Sequence, residues 1–175
     1  MVSILKKKYY NFMISISGSE KRAKIYRKVY GVSIGKNVRF TGKPEWGTEP
    51  YLISIGNNVT VTQHVAFITH DGGVGLFRKE YPGINVFGRI TIGDNVFIGA
   101  RTIFLPGVTV GNNVVIAAGS IVTKDVKENS VIAGAPAKKL KSLDEYKQNV
   151  LKKAAFITES DYLKRKIEVL KHLEE

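Results

Sequence analysis

Residues 92–127 read IGDNVF, IGARTI, FLPGVT, VGNNVV, IAAGSI and VTKDVK, which are six consecutive units of six residues. Each unit opens with a large apolar residue, and a small or β-branched residue stands four positions later. Neither the helical period of 3.6 nor the strand period of 2 produces this pattern. A period of six with glycine beside the apolar position predicts a β-helix in which each unit forms one short strand and one turn.

Stacking of the units explains their residue types. If three units form one coil, apolar residues 18 positions apart lie above one another: Ile92 and Val110, Ile98 and Ile116, Phe104 and Val122. The corners between strands favour glycine or asparagine, since both tolerate left-handed backbone angles. Asn95 and Asn113 supply such corners, and the pattern recurs upstream at residues 34–38 and 55–59.

Residues 117–126 (AAGSIVTKDV), followed by residues 131–138 (VIAGAPAK), resemble the carboxy-terminal signature of the hexapeptide-repeat acyltransferases. That family includes galactoside, maltose and serine acetyltransferases, and the resemblance covers roughly residues 30–141. It implies a left-handed coil, a homotrimer with active sites at subunit interfaces, and acetyl-CoA as co-substrate.

The pattern divides the chain into three parts. Residues 1–30 form an N-terminal helical cap, residues 31–141 the β-helix, and residues 142–175 C-terminal helices. The predicted fold class is thus an all-β solenoid, a left-handed parallel β-helix with helical appendages at both ends. Two loops, 42–52 and 71–89, interrupt the six-residue frame, and long loops in a compact repeat fold are usually functional.

The two appendages carry specific expectations. Ser19 is predicted to cap a helix in the first part, which either covers the open first coil or presents a basic amphipathic surface to anionic lipid. We favour the covering role. In the last part, a helix is predicted to start at Thr158 or Ser160 with apolar residues facing inward, namely Leu163, Ile167 and Leu170.

The 175 residues include 27 Lys or Arg and 15 Asp or Glu, giving a net charge of +12, which indicates an anionic partner. CoA phosphates and an anionic membrane surface both qualify. Nucleic acid is not expected, because no nucleic-acid-binding motif accompanies the charge. The chain has no cysteine, no apolar run of the roughly 20 residues that span a bilayer, and no signal-peptide pattern. We therefore expect a cytoplasmic protein, with the inner face of the membrane as the alternative location.

The candidate general base is His70, which precedes the second loop at the position where the family carries its base. Histidine titrates near neutral pH and so suits proton abstraction. We interpret His64 as a surface or interface residue and His172 as solvated. Without cysteine or a Gly-x-Ser-x-Gly turn, direct transfer is favoured over a covalent acyl-enzyme, with a backbone N–H stabilising the oxyanion.

The resemblance also implies a set of donor-binding residues. Ala100 corresponds to a position beside the thioester, Ala118 admits the pantetheine arm, and Thr123 and Lys124 meet that arm further out. Lys138 and Lys141 fall where relatives carry arginine near the nucleotide and its 3′-phosphate. Lysine keeps the charge there but loses bidentate geometry.

The acceptor is expected to be a sugar, because residues 46–56 and 69–73 resemble the branch that acetylates bacterial surface polysaccharides and their precursors. Trp46 is predicted to stack on a sugar ring, Glu49 to accept hydroxyl hydrogen bonds, and Asp71 to contribute to the acceptor site. Asp71 is not expected to orient His70, since neighbours on an extended chain point to opposite sides; a backbone carbonyl is the candidate for that role.

Other functions stay open at this stage. An amino-sugar N-acetyltransferase is the nearest alternative. A γ-carbonic-anhydrase-like metalloenzyme would need three stacked histidines, and the chain offers only His64 and His70 close together, so no metal is expected. A catalytically silent scaffold is the third alternative.

Overall fold

The computed structural model describes residues 4–174, with side chains from residue 9 onward. Short strands there form three sheets, and all pairings except that of the last strand are parallel. Sheet A contains β1 (Ser33–Ile34), β3 (Ile53–Ile55), β6 (Ile90–Ile92) and β9 (Thr109–Val110). Sheet B contains β2 (Arg39–Phe40), β4 (Thr60–Val61), β7 (Val96–Ile98), β10 (Val114–Ile116), β12 (Ser130–Gly134) and β13 (Ala137–Ser142). Sheet C contains β5 (Ala66–Phe67), β8 (Ile103–Phe104) and β11 (Ile121–Val122).

The strand register confirms three six-residue units per coil. Ile92 pairs with Val110, Ile98 with Ile116, and Phe104 with Val122, each across neighbouring coils. All six side chains are buried at 2% exposure or less. The interior is therefore a column of stacked apolar residues, as the spacing predicts, and the chain has the hexapeptide-repeat β-helix fold.

The frame does not break at Gly42, contrary to the prediction of a loop over residues 42–52. Glu45 bridges Ala66 in parallel, and its backbone N–H donates to the Val65 carbonyl at 2.8 Å. Trp46 then takes the interior position and stacks on Phe67, with ring centroids 5.2 Å apart. The spacing Ile34, Phe40, Trp46 keeps the period of six, so the insertion begins only after Trp46, where Pro50–Leu52 form a 3-10 helix.

Asparagines build the corner that follows sheet A. Five of them adopt positive φ angles between 53° and 57°. Their side-chain amides donate from coil to coil at 3.0–3.1 Å. The ladder comprises Asn37, Asn58, Asn95, Asn113 and Asn129. The prediction of asparagine corners is thus confirmed, with each side chain also tied to its neighbour.

The N-terminal part packs on the first coil. Helix α1 (Ile4–Ile16) is followed by helix α2 (Ser19–Ile25), which continues into a π-helical turn (Tyr26–Tyr30). Ile14, Ala23 and Tyr26 are buried, and the ring of Tyr26 lies edge-on to both Phe40 and Trp46. Burial raises the pKa of the Tyr26 phenol to about 12.

Ser19 does not cap α2, contrary to expectation, because its hydroxyl bonds across to the first coil instead. It donates to the Phe40 carbonyl at 3.3 Å and accepts from the Phe40 N–H at 3.1 Å. Two arginines make similar ties: Arg22 donates to the Phe40 carbonyl, and Arg27 donates to the Ile34 carbonyl at 2.8 Å. The residue expected to start a helix therefore anchors it to the β-helix.

The chain after the last coil departs from the repeat. Strand β13 turns back antiparallel to β12, and helix α3 (Leu143–Leu151) follows. Residues 144–174 belong to a second compact unit that also holds helix α4 (Tyr162–Glu174). Asp161 caps α4 by accepting the N–H groups of Leu163 and Lys164, so the helix starts later than expected. The residues predicted to face inward, Leu163, Ile167 and Leu170, are 66%, 67% and 49% exposed.

No helix within residues 4–174 is long and apolar enough to cross a membrane.

Candidate functional site

His70 lies at the corner that follows sheet C, where the chain leaves the coil. Two backbone hydrogen bonds join the ends of the loop that leaves the coil here. The Gly88 N–H donates to the Thr69 carbonyl at 2.9 Å, and the Asp71 N–H donates to the Val86 carbonyl at 3.0 Å. The backbone of His70 forms an antiparallel β-bridge with Phe87. The ring of Phe87 lies edge-on to the imidazole, with the ring centroids 6.4 Å apart. The loop therefore starts and ends beside the candidate base.

A carboxylate holds the imidazole. Glu49 Oε2 lies 2.9 Å from His70 Nδ1, and the two side chains are 16% and 39% exposed. The Thr48 hydroxyl donates to Glu49 Oε1 at 2.7 Å and also lies 3.2 Å from His70 Nδ1. The Thr69 hydroxyl, on a fully buried residue, donates to Glu49 Oε2 at 2.8 Å. Four side chains thus form one hydrogen-bonded cluster: Thr48, Glu49, Thr69 and His70.

Hydrogen bonds keep Glu49 ionised. Those from the Thr48 and Thr69 hydroxyls lower the pKa of the Glu49 carboxyl the most, the bond and charge of His70 lower it further, and desolvation opposes them. An ionised carboxylate only accepts hydrogen bonds. His70 Nδ1 must therefore carry the proton, which leaves Nε2 of the neutral ring as an acceptor able to take a proton from a substrate.

This arrangement revises several expectations about the site. Glu49, rather than a backbone carbonyl, orients His70. Both carboxylate oxygens of Glu49 are therefore engaged by side chains of the protein. Asp71 accepts the Gly73 N–H at 2.8 Å and caps the 3-10 helix Gly72–Phe77 that opens the loop. Trp46 is only 5% exposed. The prediction that its indole stacks on a sugar is wrong, because the indole fills the interior column against Phe67.

Thr48 and Thr69 were missed by sequence reasoning. Thr69 directly precedes His70 and is fully buried beside the exit of the loop, but nothing in its spacing distinguishes it from a turn residue. Glu49 was identified for a different role, because its contact with His70 joins residues 21 positions apart through an insertion that follows no repeat.

The candidate donor residues fall into three places. Ala100 and Ala118 occupy equivalent positions of adjacent coils at the corner that precedes sheet C, where the Gly119 N–H donates to the Ala100 carbonyl at 2.7 Å. A Cβ on Gly99 would lie 2.4 Å from the Ala118 nitrogen, so the backbones meet closely there.

The remaining four candidates lie elsewhere: Thr123 and Lys124 after β11, and Lys138 and Lys141 on β13. Thr123 and Lys124 follow β11, on the same edge of sheet C as His70 but two coils away, which is about 10 Å at the usual strand spacing. Lys138 and Lys141 lie on β13, opposite Ala133 and Val131. The structure does not bring all the candidates together within one chain.

Residues 4–174 contain no group of three His, Cys, Asp or Glu side chains that could hold a metal ion.

Comparison with known proteins identifies the family. The model for the hexapeptide repeat of succinyl-transferase matches residues 89–124. Protein CapG of Staphylococcus aureus is 51% identical over 147 residues, which cover 83% of this chain and 86% of that protein. The galactoside O-acetyltransferase of Escherichia coli is 38% identical over 97 residues, covering 55% of this chain and 47% of that protein.

A solved structure agrees with this similarity. Galactoside acetyltransferase in complex with coenzyme A superposes with a TM-score of 0.57 at 28% identity, covering 89% of this chain and 85% of that one. The chain belongs to the hexapeptide-repeat acetyltransferase family. The prediction of an acetyltransferase with acetyl-CoA as donor is thereby confirmed at the level of the family.

Proposed function

We propose that this protein transfers an acetyl group from acetyl-CoA directly to a hydroxyl of a sugar or surface-glycan precursor. The observation that carries the proposal is the 2.9 Å contact of Glu49 Oε2 with His70 Nδ1, which fixes the tautomer of a half-exposed imidazole. Similarity to a galactoside O-acetyltransferase supports a sugar hydroxyl as acceptor.

In the proposed reaction, His70 Nε2 removes the hydroxyl proton as the oxygen attacks the thioester carbonyl. Glu49 stabilises the imidazolium that forms, because the carboxylate is already hydrogen-bonded to Nδ1. When the carbon–sulfur bond breaks, the imidazolium returns the proton to the departing thiolate. Each proton is accounted for by one residue, so no covalent acyl-enzyme is needed.

The donor would lie along the corner that precedes sheet C. Ala100 and Ala118 leave room there for a narrow pantetheine arm because neither carries a side chain beyond Cβ. Thr123, Lys124, Lys138 and Lys141 would meet its polar and anionic parts. Similarity to the coenzyme A complex of galactoside acetyltransferase supports this placement, and we propose the same left-handed coil for this chain.

We further propose that the active site is shared between subunits of a homotrimer. His70 follows sheet C, whereas Ala100 and Ala118 precede it, so one chain presents its base and its narrow donor corner at opposite edges of one sheet. A neighbouring subunit that applied its donor corner to the His70 edge would complete the site. Sedimentation velocity should then show three times the 19.4 kDa mass of one chain.

The loop over residues 71–89 is expected to supply specificity for the acceptor. Phe87 lies beside the imidazole and is 56% exposed, and Phe77 and Tyr81 on the same loop are 53% and 56% exposed. Aromatic rings of this kind suit the apolar faces of sugars. Asp71 would contribute to the acceptor site by holding the first turn of this loop through the Gly73 N–H.

The decisive experiment is a screen of the purified protein with acetyl-CoA against hydroxyl-bearing glycans and nucleotide sugars in one panel and amino sugars in another. Release of free CoA with O-acetylated product is the expected result. Turnover confined to amines would replace the proposal with the N-acetyltransferase alternative. Turnover of neither panel, with CoA still bound, would reject a sugar acceptor.

A further inference from the structure

Helix α1 presents apolar residues on two faces but buries only one of them. Ile14 is 2% exposed and packs into the core, whereas Tyr9, Phe12 and Ile16 are 58%, 61% and 63% exposed. Those three residues are spaced by three and four positions and therefore share one side of the helix. We call them the outer stripe. Packing on the first coil does not account for it.

The same segment carries most of the net charge of the chain. Residues 1–30 contain eight Lys or Arg and one acidic residue, Glu20. Arg22 and Arg27 are committed to backbone carbonyls, and Lys24 pairs with Glu20 at 3.3 Å. Lys21 and Lys28 are exposed, and neither has a carboxylate partner within residues 4–174.

We propose that the outer stripe and these lysines attach the protein to an anionic membrane surface. A helix with exposed aromatic and aliphatic residues beside lysines lies in the interfacial plane of a bilayer, with its apolar side among the lipid chains. Negative headgroups also attract lysines within a Debye length of the bilayer surface. The segment covers the first coil with one side and binds lipid with the other.

Charge argues for lipid over a second copy of this chain. Two caps that met through their outer stripes would bring two segments of strong positive charge together, and like charges repel across an interface. An anionic bilayer offers the opposite sign together with an apolar layer. A second copy of this chain offers an apolar surface but not the opposite charge.

The test is co-sedimentation of the full chain with vesicles, using phosphatidylcholine alone and phosphatidylcholine with 30% phosphatidylglycerol. We expect binding to the anionic vesicles, weakening as salt rises. The double variant Phe12→Glu/Ile16→Glu should lower the partition coefficient at least about tenfold, because it removes the apolar contact and adds repulsion. Lys21→Glu/Lys28→Glu should lower it by roughly 25-fold or more, at about fivefold per lysine.

A matched control exists on α4. Leu163 and Ile167 are 66% and 67% exposed, close to the values for Phe12 and Ile16, so Leu163→Glu/Ile167→Glu makes the same change of charge and hydropathy elsewhere. Helix α4 also combines exposed apolar residues with lysines such as Lys164 and Lys166, so the control tests α1 against α4, and it should bind vesicles like the parent. Circular dichroism and the melting temperature establish that each variant is folded, and neither measurement depends on the proposed acetyl transfer.

Three outcomes would overturn the proposal. Equal binding to neutral and anionic vesicles would remove the role of charge. Folded outer-stripe variants that bind like the parent would remove the role of α1. A parent that binds no vesicles, together with an outer-stripe variant of lower oligomeric mass, would show that a second copy covers the stripe instead.

Discussion

The corner after sheet A and the corner after sheet C both recur along the same β-helix, yet they are built from different residues. The first repeats one solution, an asparagine at positive φ in each of five coils, with amides bonded in a ladder at 3.0–3.1 Å. The second varies from Gly47 to His70 to Gly107, and both insertions of the β-helix leave from it.

This contrast indicates where a functional site lies in a repeat protein. A corner that only has to turn converges on the residue that turns most easily, and stacking then adds hydrogen bonds between identical neighbours. A corner that also contributes to an active site cannot carry the same residue in every coil, since the site needs only one general base and one loop. Substitutions at the asparagine corner should therefore change stability, whereas substitutions at the His70 corner should change catalysis.

Removal of the base should produce the largest change. His70→Ala is expected to lower kcat by a factor on the order of 10² to 10⁴, because general base catalysis typically contributes that much. The affinity for acetyl-CoA should stay close to that of the parent, as measured by calorimetry. The melting temperature should also change little, since the His70 side chain is 39% exposed and fills no part of the apolar interior.

His172 provides the matched control. It is exposed on α4 and does not belong to the Glu49 cluster. His172→Ala makes the same substitution in the C-terminal helix and should leave kcat within about twofold of the parent value. Equal losses in both variants would mean that His70 is not the base.

The tautomer of His70 should respond to its partner. Glu49→Gln removes the negative charge while keeping the shape, so we expect kcat to fall by a factor on the order of 10 to 10², as is typical when the partner that orients a functional histidine is lost. KM for the acceptor should change less than kcat. Nitrogen chemical shifts of the imidazole should report Nδ1–H in the parent and a mixture of tautomers in the variant.

A purely structural role for Glu49 predicts another pattern. In that case Glu49→Gln would lower the melting temperature and leave both the tautomer and the kcat of the folded fraction unchanged. Restoration of the parent's kcat by Glu49→Asp would instead support an oriented charge.

The asparagine corner could be predicted from sequence almost completely, and the His70 corner only in part. Spacing alone gives the stacking of Ile98 on Ile116 because every coil obeys the same geometry. The same arithmetic would have placed Trp46 in the interior, twelve residues after Ile34. The glycine and proline at positions 42 and 44 instead suggested a loop, although in the structure the chain continues through them to the Glu45 bridge.

The Glu49–His70 contact could not be predicted in this way. It depends on how the insertion after Trp46 turns through the 3-10 helix Pro50–Leu52 before re-entering sheet A. No periodicity governs that turn, so a carboxylate 21 residues from the base could equally have faced solvent. The six-residue repeat predicts the position of His70, whereas the contact with Glu49 becomes visible only in the three-dimensional structure.

Breaking the ladder should affect stability but not catalysis. Asn95→Ala forces a Cβ-bearing residue without a local hydrogen bond into the left-handed region, at a cost of about 1–2 kcal/mol, and removes the bonds to Asn58 and Asn113. Asn95→Gly loses the same bonds but tolerates the φ of 57°, so it should be less destabilising than alanine. Unfolding should be measured at one protein concentration, because any assembly contributes to it.

Glycine is thus expected to be less destabilising than alanine at this corner, whereas in a helix interior glycine is the more destabilising of the two. Equal stability of the two variants would mean that the ladder, rather than the backbone angle, fixes asparagine at this corner. Either variant should keep the parent's kcat, since Asn95 and His70 lie at different corners.

The smallest expected effect is a dependence of stability on pH at the His70 corner. The hydrogen bonds from Thr48, Thr69 and His70 lower the pKa of Glu49 from its ordinary 4.5. A carboxyl with a lowered pKa in the folded state stabilises the protein above its unfolded pKa, and this contribution disappears as pH falls through the folded pKa. The parent should therefore have a higher melting temperature than Glu49→Gln at pH 6–7. The difference between the two melting temperatures should shrink as the pH is lowered below about 4. Glu45→Gln is the control, since Glu45 is exposed and makes no side-chain hydrogen bond within the described residues; a similar pH-dependent difference in that variant would assign the effect to general charge rather than to the cluster around His70.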